Sequence, residues 1–142
     1  MFEKNNTQRE IKKKIYLFYF PEPGTIEFTK PSFIFKESSL AAEIELHRVN
    51  GADGQVSVKW TTTDQSAVHG KDYIGGSDVI VFDHGETVKM LAISIIDDKT
   101  FEKDETFMIQ LSETTGGLKL GRLKRTVVTI VNDDGKLVIL CI

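Results

Sequence analysis

AAEIELHRVNGADGQVSVKWTTT, residues 41–63, decides the fold class. Its first nine residues alternate: Ala42, Ile44 and Leu46 fall on one face, with Glu43, Glu45 and His47 on the other. A period of two is that of a half-buried strand. NGADG (50–54) then supplies turn chemistry, and QVSVKWTTT (55–63) returns with Val56, Val58 and Trp60 in phase. The grammar of hairpin-spaced strands extends in both directions. Upstream, GTIEFT (24–29) and SFIFKES (32–38) are split at Pro31, as proline splits a strand at an edge or crossover. Downstream come VIVF (79–82), TVKMLAISII (87–96), TFMIQL (106–111) and RTVVTIV (125–131), each bounded by polar or glycine-containing turns. No stretch carries a helical period. Seven short strands, the first interrupted at Pro31, predict an all-β antiparallel sandwich with Greek-key links. The single tryptophan is expected in its core.

The 142 residues suit one domain, with 40% hydrophobic and 27% charged residues, as in ordinary globular proteins. A net charge of -3 argues against nucleic acid as a partner, because phosphate binding needs a concentrated basic face. One cysteine, Cys141, cannot form an internal disulfide and excludes a cysteine-rich zinc site. IYLFYF (15–20) is far shorter than the ~20 residues that span a bilayer. MFEKNNTQREIKKK has acids among its lysines and no apolar h-region, so it does not read as a signal peptide. Asn5-Asn6-Thr7 fits a glycosylation sequon, a short and weak pattern.

The chemistry concentrates in IIDDKTFEKDETF (95–107), where Asp97, Asp98, Glu102, Asp104 and Glu105 crowd one loop. Two carboxylates ~5 Å apart repel by roughly 1 kcal/mol in water and roughly 3 at an effective dielectric near 20. Alternating strand directions bring the ends of the first, third, fifth and seventh strands to one pole. Glu37, Asp72 and the run Asn132-Asp133-Asp134 can therefore meet the acid loop there. Such a set suits a hard divalent cation, and calcium, which accepts six to eight oxygens from flexible loops, better than magnesium. A solvated acidic loop is the competing reading. An EF-hand is excluded because Lys99 stands at the third ligand position and no glycine follows. Ser77 in GGSD lacks the elbow of a hydrolase nucleophile. His47, His69 and His84 show no ligand spacing and suit surface roles. Glycoside hydrolysis needs a protonated acid in an apolar cleft, whereas this cluster is chiefly charge. No enzyme is expected.

The run FDHGETVKMLAISIIDDKTFEKDETFMIQL (82–111), preceded by GKDY and closed by TIVNDD, resembles the Calx-beta domain, a family known from sodium/calcium exchanger regulatory loops, an integrin β subunit and large adhesion and matrix proteins. The resemblance covers roughly residues 24–135. It implies an immunoglobulin-like sandwich that binds Ca2+ at one end. Its ligands would align with Glu37, Asp72, Asp97, Asp98, Glu102, Asp104, Glu105, Asn132, Asp133 and Asp134. Lys99 and Asn132 depart from the family's acids, which implies fewer or weaker sites. The expected organisation is an N-terminal arm (1–23), the domain (24–135) and a strand-like tail or start of a following repeat (136–142). The expected function is a calcium-binding module that rigidifies one pole and sets the orientation of a neighbouring domain. The alternative is a structural adhesion or matrix repeat with weak or no calcium binding. The expected parent is a membrane-associated or extracellular protein, with the domain in a cytosolic loop or an ectodomain. Calcium ions and neighbouring domains are the expected partners; nucleic acid binding, membrane insertion and self-association are not expected.

Overall fold

A computed structural model describes residues 20–97 and 103–133. The arm up to residue 19, residues 98–102 and residues 134–142 lie outside it. With them lie the expectations for Asp98, Lys99, Glu102, Asp134, Cys141, the glycosylation sequon and both terminal segments.

The described residues form two facing sheets from nine strands: β1 (Thr25–Phe28), β2 (Ser32–Lys36), β3 (Ala41–Val49), β4 (Val56–Asp64), β5 (Ser77–Phe82), β6 (Val88–Ser94), β7 (Glu105–Thr115), β8 (Lys119–Leu120) and β9 (Arg125–Val131). One sheet has the order β6-β3-β1-β8 and the other β2-β9-β7-β4-β5. The sandwich is the expected one, with nine strands where seven were read. Pro31 accounts for one difference, since β1 and β2 belong to opposite sheets. At the crossover the Pro31 carbonyl accepts Val127 N–H at 3.1 Å, and the Lys30 carbonyl accepts the Thr126 hydroxyl at 3.1 Å. The two-residue β8 is the other, too short for any periodicity. Two pairings are parallel, β2 with β9 and β1 with β8, and both involve short strands.

The alternation read from the sequence sets the core. Ala42, Ile44, Leu46, Leu91 and Ile93 of one sheet face Val56, Val58, Phe107, Ile109, Leu111 and Val128 of the other, all buried. Burying each of the larger side chains contributes roughly 1.5–3 kcal/mol. Trp60 is half-buried and packs against this core.

β2, β4, β6 and β9 all run toward the same end of the sandwich, because β2 parallels β9 and β7 runs against both β9 and β4, while β3 runs against β6. That end is the acidic pole. At the opposite end stands Arg48, only 2% exposed. Its guanidinium donates to four carbonyls: Pro23 at 2.6 Å, Asp53 at 2.7 Å, Gly54 at 3.0 Å and Asp83 at 3.2 Å. Three turns are thus tied to one cation. Close approach reinforces the tie. A Cβ on Gly24, whose φ is +93, would meet the Gly51 carbonyl oxygen at 2.2 Å.

Candidate metal site at the acidic pole

The turn between β2 and β3 is a single 3-10 turn, Glu37–Ser39, closed by Leu40 in the left-handed region at φ 64. It turns Glu37 back under the pole, where it is 5% exposed. The Leu40 carbonyl accepts Ile95 N–H at 2.9 Å, which ties this turn to the start of the acid loop.

Asp72 comes from the loop after β4. Its carboxylate accepts Val68 N–H at 2.8 Å, and its own N–H donates to the Val68 carbonyl at 2.9 Å. The Asp72 carbonyl accepts Ile96 N–H at 3.0 Å, next to Asp97. Tyr73 anchors the loop from the next position. It is fully buried, its ring stacks on Phe107 at 3.9 Å, and its hydroxyl donates to Asp64. Burial, followed by the Asp64 hydrogen bond, pushes the Tyr73 phenol up to about 12. Asp64 also accepts His69 N–H at 3.1 Å, and His69 Nδ1 accepts Gly75 N–H at 2.9 Å.

The strand ends complete the pole. Glu105 opens β7 and is half-buried, beside an exposed Asp104 that accepts Asn132 N–H at 3.1 Å. Asn132 is 7% exposed. Asp133 is half-buried and accepts the Ser38 hydroxyl. Of the expected site residues, Glu37, Asp72, Glu105 and Asn132 line one small cavity together with Ile96, Ile130 and Lys103. Asp97, Asp104 and Asp133 flank this group in sequence without lining the cavity.

The lining is chemically pointed. Three carboxylates and the carbonyl oxygen of a carboxamide are hard donors, the type that calcium and magnesium take. Burying anions at 5–7% exposure is costly unless positive charge compensates it. Lys103 lies in the same lining, an ammonium that the sequence reading passed over inside a run of acids. Among the described residues no group of three or more His, Cys, Asp or Glu side chains is placed to hold a metal ion. The described donors match a hard cation in type. The histidines are placed apart: His47 bonds Glu27 at 3.2 Å, His69 the 75 amide, and His84 Nδ1 accepts Gly54 N–H at 2.9 Å.

A sandwich of this topology with an oxygen-lined pole defines a class, the immunoglobulin-like β-domain that carries its site on the loops of one end. Residues 21–134 match the Calx-beta domain family, and the chain belongs to it. It is 34% identical over 113 residues to adhesion G-protein coupled receptor V1 of Danio rerio, covering 78% of this chain and 2% of the receptor. It is 32% identical over 90 residues to sodium/calcium exchanger Calx of Drosophila melanogaster, covering 63% of this chain and 10% of the exchanger. The chain thus spans a small fraction of these relatives. A solved structure described as calcium binding domain CBD12 of CALX1.1 superimposes with a TM-score of 0.73 at 29% identity, over 77% of this chain and 46% of that one.

Proposed function

We propose that this chain is a calcium-binding module of a larger membrane-associated or extracellular protein, with Ca2+ held at the acidic pole. The observation that carries this reading is the shared cavity of Glu37, Asp72, Glu105 and Asn132, which four separated segments bring to one end of the sandwich. Membership in a family whose matched structure is described as a calcium binding domain supports it. Glu37, Asp72 and Glu105 would supply carboxylate oxygens and Asn132 a neutral one. Asp97, Asp98, Glu102, Asp104, Asp133 and Asp134 would complete the shell. The chemistry supplied is electrostatic and structural, with no bond made or broken.

Without the ion, repulsion among the carboxylates opposes closure of the 97–105 and 132–134 segments. Binding offsets it, draws the segments together and fixes the angle at which a neighbouring domain leaves the pole. In an exchanger-like parent this arrangement is a sensor; in an adhesion-receptor-like parent it stiffens a tether. Calorimetric calcium titration of the chain, with magnesium as control, tests the reading. Saturable calcium binding that is lost in the Asp97→Ala/Asp98→Ala double variant is expected. Absence of heat together with an unchanged melting temperature between calcium and chelator would remove it.

One observation favours a second reading, the structural adhesion repeat. Lys103 lines the same cavity, and an ammonium there can neutralise carboxylates in place of an ion. In that case Lys103→Met lowers stability in chelator. If calcium does bind, the same substitution raises its affinity.

A further inference from the structure

Charge on this chain is sorted along its length. Its net charge is -3, yet residues 114–132 hold four cations, Lys119, Arg122, Lys124 and Arg125, and no acid. All four are exposed, as is Lys30. Among the described residues none of these five forms an ion pair, whereas Lys59 reaches Glu113 at 3.8 Å and Lys89 reaches Glu86 at 3.5 Å.

The fold gathers them on one lateral side, where the chain passes between the sheets twice. At 29–31 it leaves β3, where Thr29 N–H donates to the Glu45 carbonyl at 3.2 Å, and reaches β9, where the Pro31 carbonyl accepts Val127 N–H. At 121–125 it leaves β1, where the Leu123 carbonyl accepts Phe28 N–H at 2.8 Å, and reaches β7, where the Lys124 carbonyl accepts Leu111 N–H at 2.8 Å. The two crossings adjoin, since the Thr126 hydroxyl donates to the Lys30 carbonyl. Strand alternation sets Lys119, opposite Thr25, on the outer side of the first sheet, and Arg125, opposite Gln110, on the outer side of the second. Lys30, Arg122 and Lys124 stand at the crossings between them. The five cations therefore form a belt around an edge of the sandwich and not a flat patch. Its backbone is held in place: the Glu27 carboxylate accepts Leu123 N–H at 3.2 Å and bonds His47 at 3.2 Å.

We propose that this belt binds a linear sulfated polysaccharide. Exposed guanidinium and ammonium groups without internal partners suit fixed anionic charge, and the arginine fork matches a tetrahedral oxyanion. A thin, flexible chain can follow cations around an edge while keeping clear of the acidic pole. A bilayer is flat, so it would meet only part of the belt. Binding at its surface also draws on an apolar or aromatic anchor, and 119–125 contains no aromatic side chain. A single-stranded nucleic acid would want aromatic faces to stack on. The ring nearest the belt, Phe33 beneath Lys30, is buried. The inference is independent of the calcium site.

Titration of the full chain with heparin, in the presence of chelator, tests it. Binding should weaken roughly 50-fold between about 50 and about 200 mM salt, as counterion release from about four contacts requires. Arg122→Ser/Lys124→Ser, at exposed positions, should keep the parent's melting temperature and lose about tenfold in affinity. Lys119→Glu, on the far side of the crossing, should weaken binding comparably, so the result does not hang on one variant. Lys36→Ser/Lys71→Ser removes as much charge as the first variant, at exposed sites by the acidic pole, and should leave affinity within about twofold. No binding at about 50 mM salt, or an equal loss in both double variants, overturns the proposal. So does tighter binding to phosphatidylserine vesicles or duplex DNA than to heparin at equal anionic charge, because the belt would then serve a membrane or a nucleic acid.

Discussion

At one pole of this sandwich a single cation is surrounded by carbonyl oxygens; at the other, carboxylates and a carboxamide surround a small cavity. Arg48 donates to four carbonyls of its own domain, at 2.6–3.2 Å, and they draw the 23, 53–54 and 83 turns inward. The acidic pole does the reverse. Its buried carboxylates, Glu37 and Asp72, carry the same sign, and the exposed Lys103 stands in the cavity lining. The turn residues differ in the same sense. The arginine pole uses glycines at its close contacts, Gly24 and Gly51, where a Cβ would strike backbone carbonyls at 2.2 Å. The acidic pole places a leucine, Leu40, at φ 64, where L side chains are strained. One end is therefore complete on folding, and the other is where the proposed cation would act.

Breaking the arginine pole should have the largest effect. Arg48→Met leaves four carbonyls without their donor and should cost about 3–5 kcal/mol by urea unfolding. The increment given by calcium should survive in it. Neutralising the acidic pole should act with the opposite sign in the absence of the ion. Asp72→Asn keeps an oxygen for Val68 N–H and relieves repulsion, so stability in chelator rises by about 1 kcal/mol. The same variant should lose the roughly 2.7 kcal/mol that calcium at 100 times its dissociation constant adds to the parent. Thermal melts with and without chelator read both changes. A loss of stability in chelator would show that Asp72 is a structural acceptor first.

Tyr73 sharpens the contrast further, as a self-sufficient anchor inside the acidic pole. Its raised pKa means that the folded protein holds the phenolic proton more tightly than the unfolded chain. That contribution is fully present below the ordinary value of 10.0 and is lost as pH rises through about 12. Tyr73→Phe should lower stability by about 1–2 kcal/mol at neutral pH, through loss of the hydrogen bond to Asp64, and should abolish this alkaline decline. The smallest effect is expected at Leu40. Its side chain is 61% exposed, so Leu40→Gly removes strain with little lost packing and should raise stability by up to about 1 kcal/mol in chemical denaturation.

Much of this architecture was legible along the chain. The phase of Ala42, Ile44 and Leu46, and that of Phe107, Ile109 and Leu111, predicts the buried faces that the sheets present. Arg48 stands in the same phase as Leu46, and a charge continuing an apolar face was a signal available to reading, though its four acceptors were not. They lie 5 to 35 residues away. β8 was illegible because two residues carry no period, and the parallel pairing of β2 with β9 because register follows from sheet closure. At the site, strand-end position and the family resemblance pointed to Glu37, Asp72, Glu105 and Asn132. Nothing local separated them from Asp97, Asp104 and Asp133, which do not line the same cavity. Lys103 was hidden in the acidic run.

Read along the chain alone, the residues foretell that strands form, which faces they bury, and that acids stand at alternate strand ends. Those are properties of period, turn chemistry and chain direction, and each is local. Which oxygens share a cavity, that Lys103 enters its lining, and that β1 stops short of the level of β2 belong to the folded whole. Those outcomes depend on how two twisted sheets close on each other, and no stretch of a few residues contains that geometry.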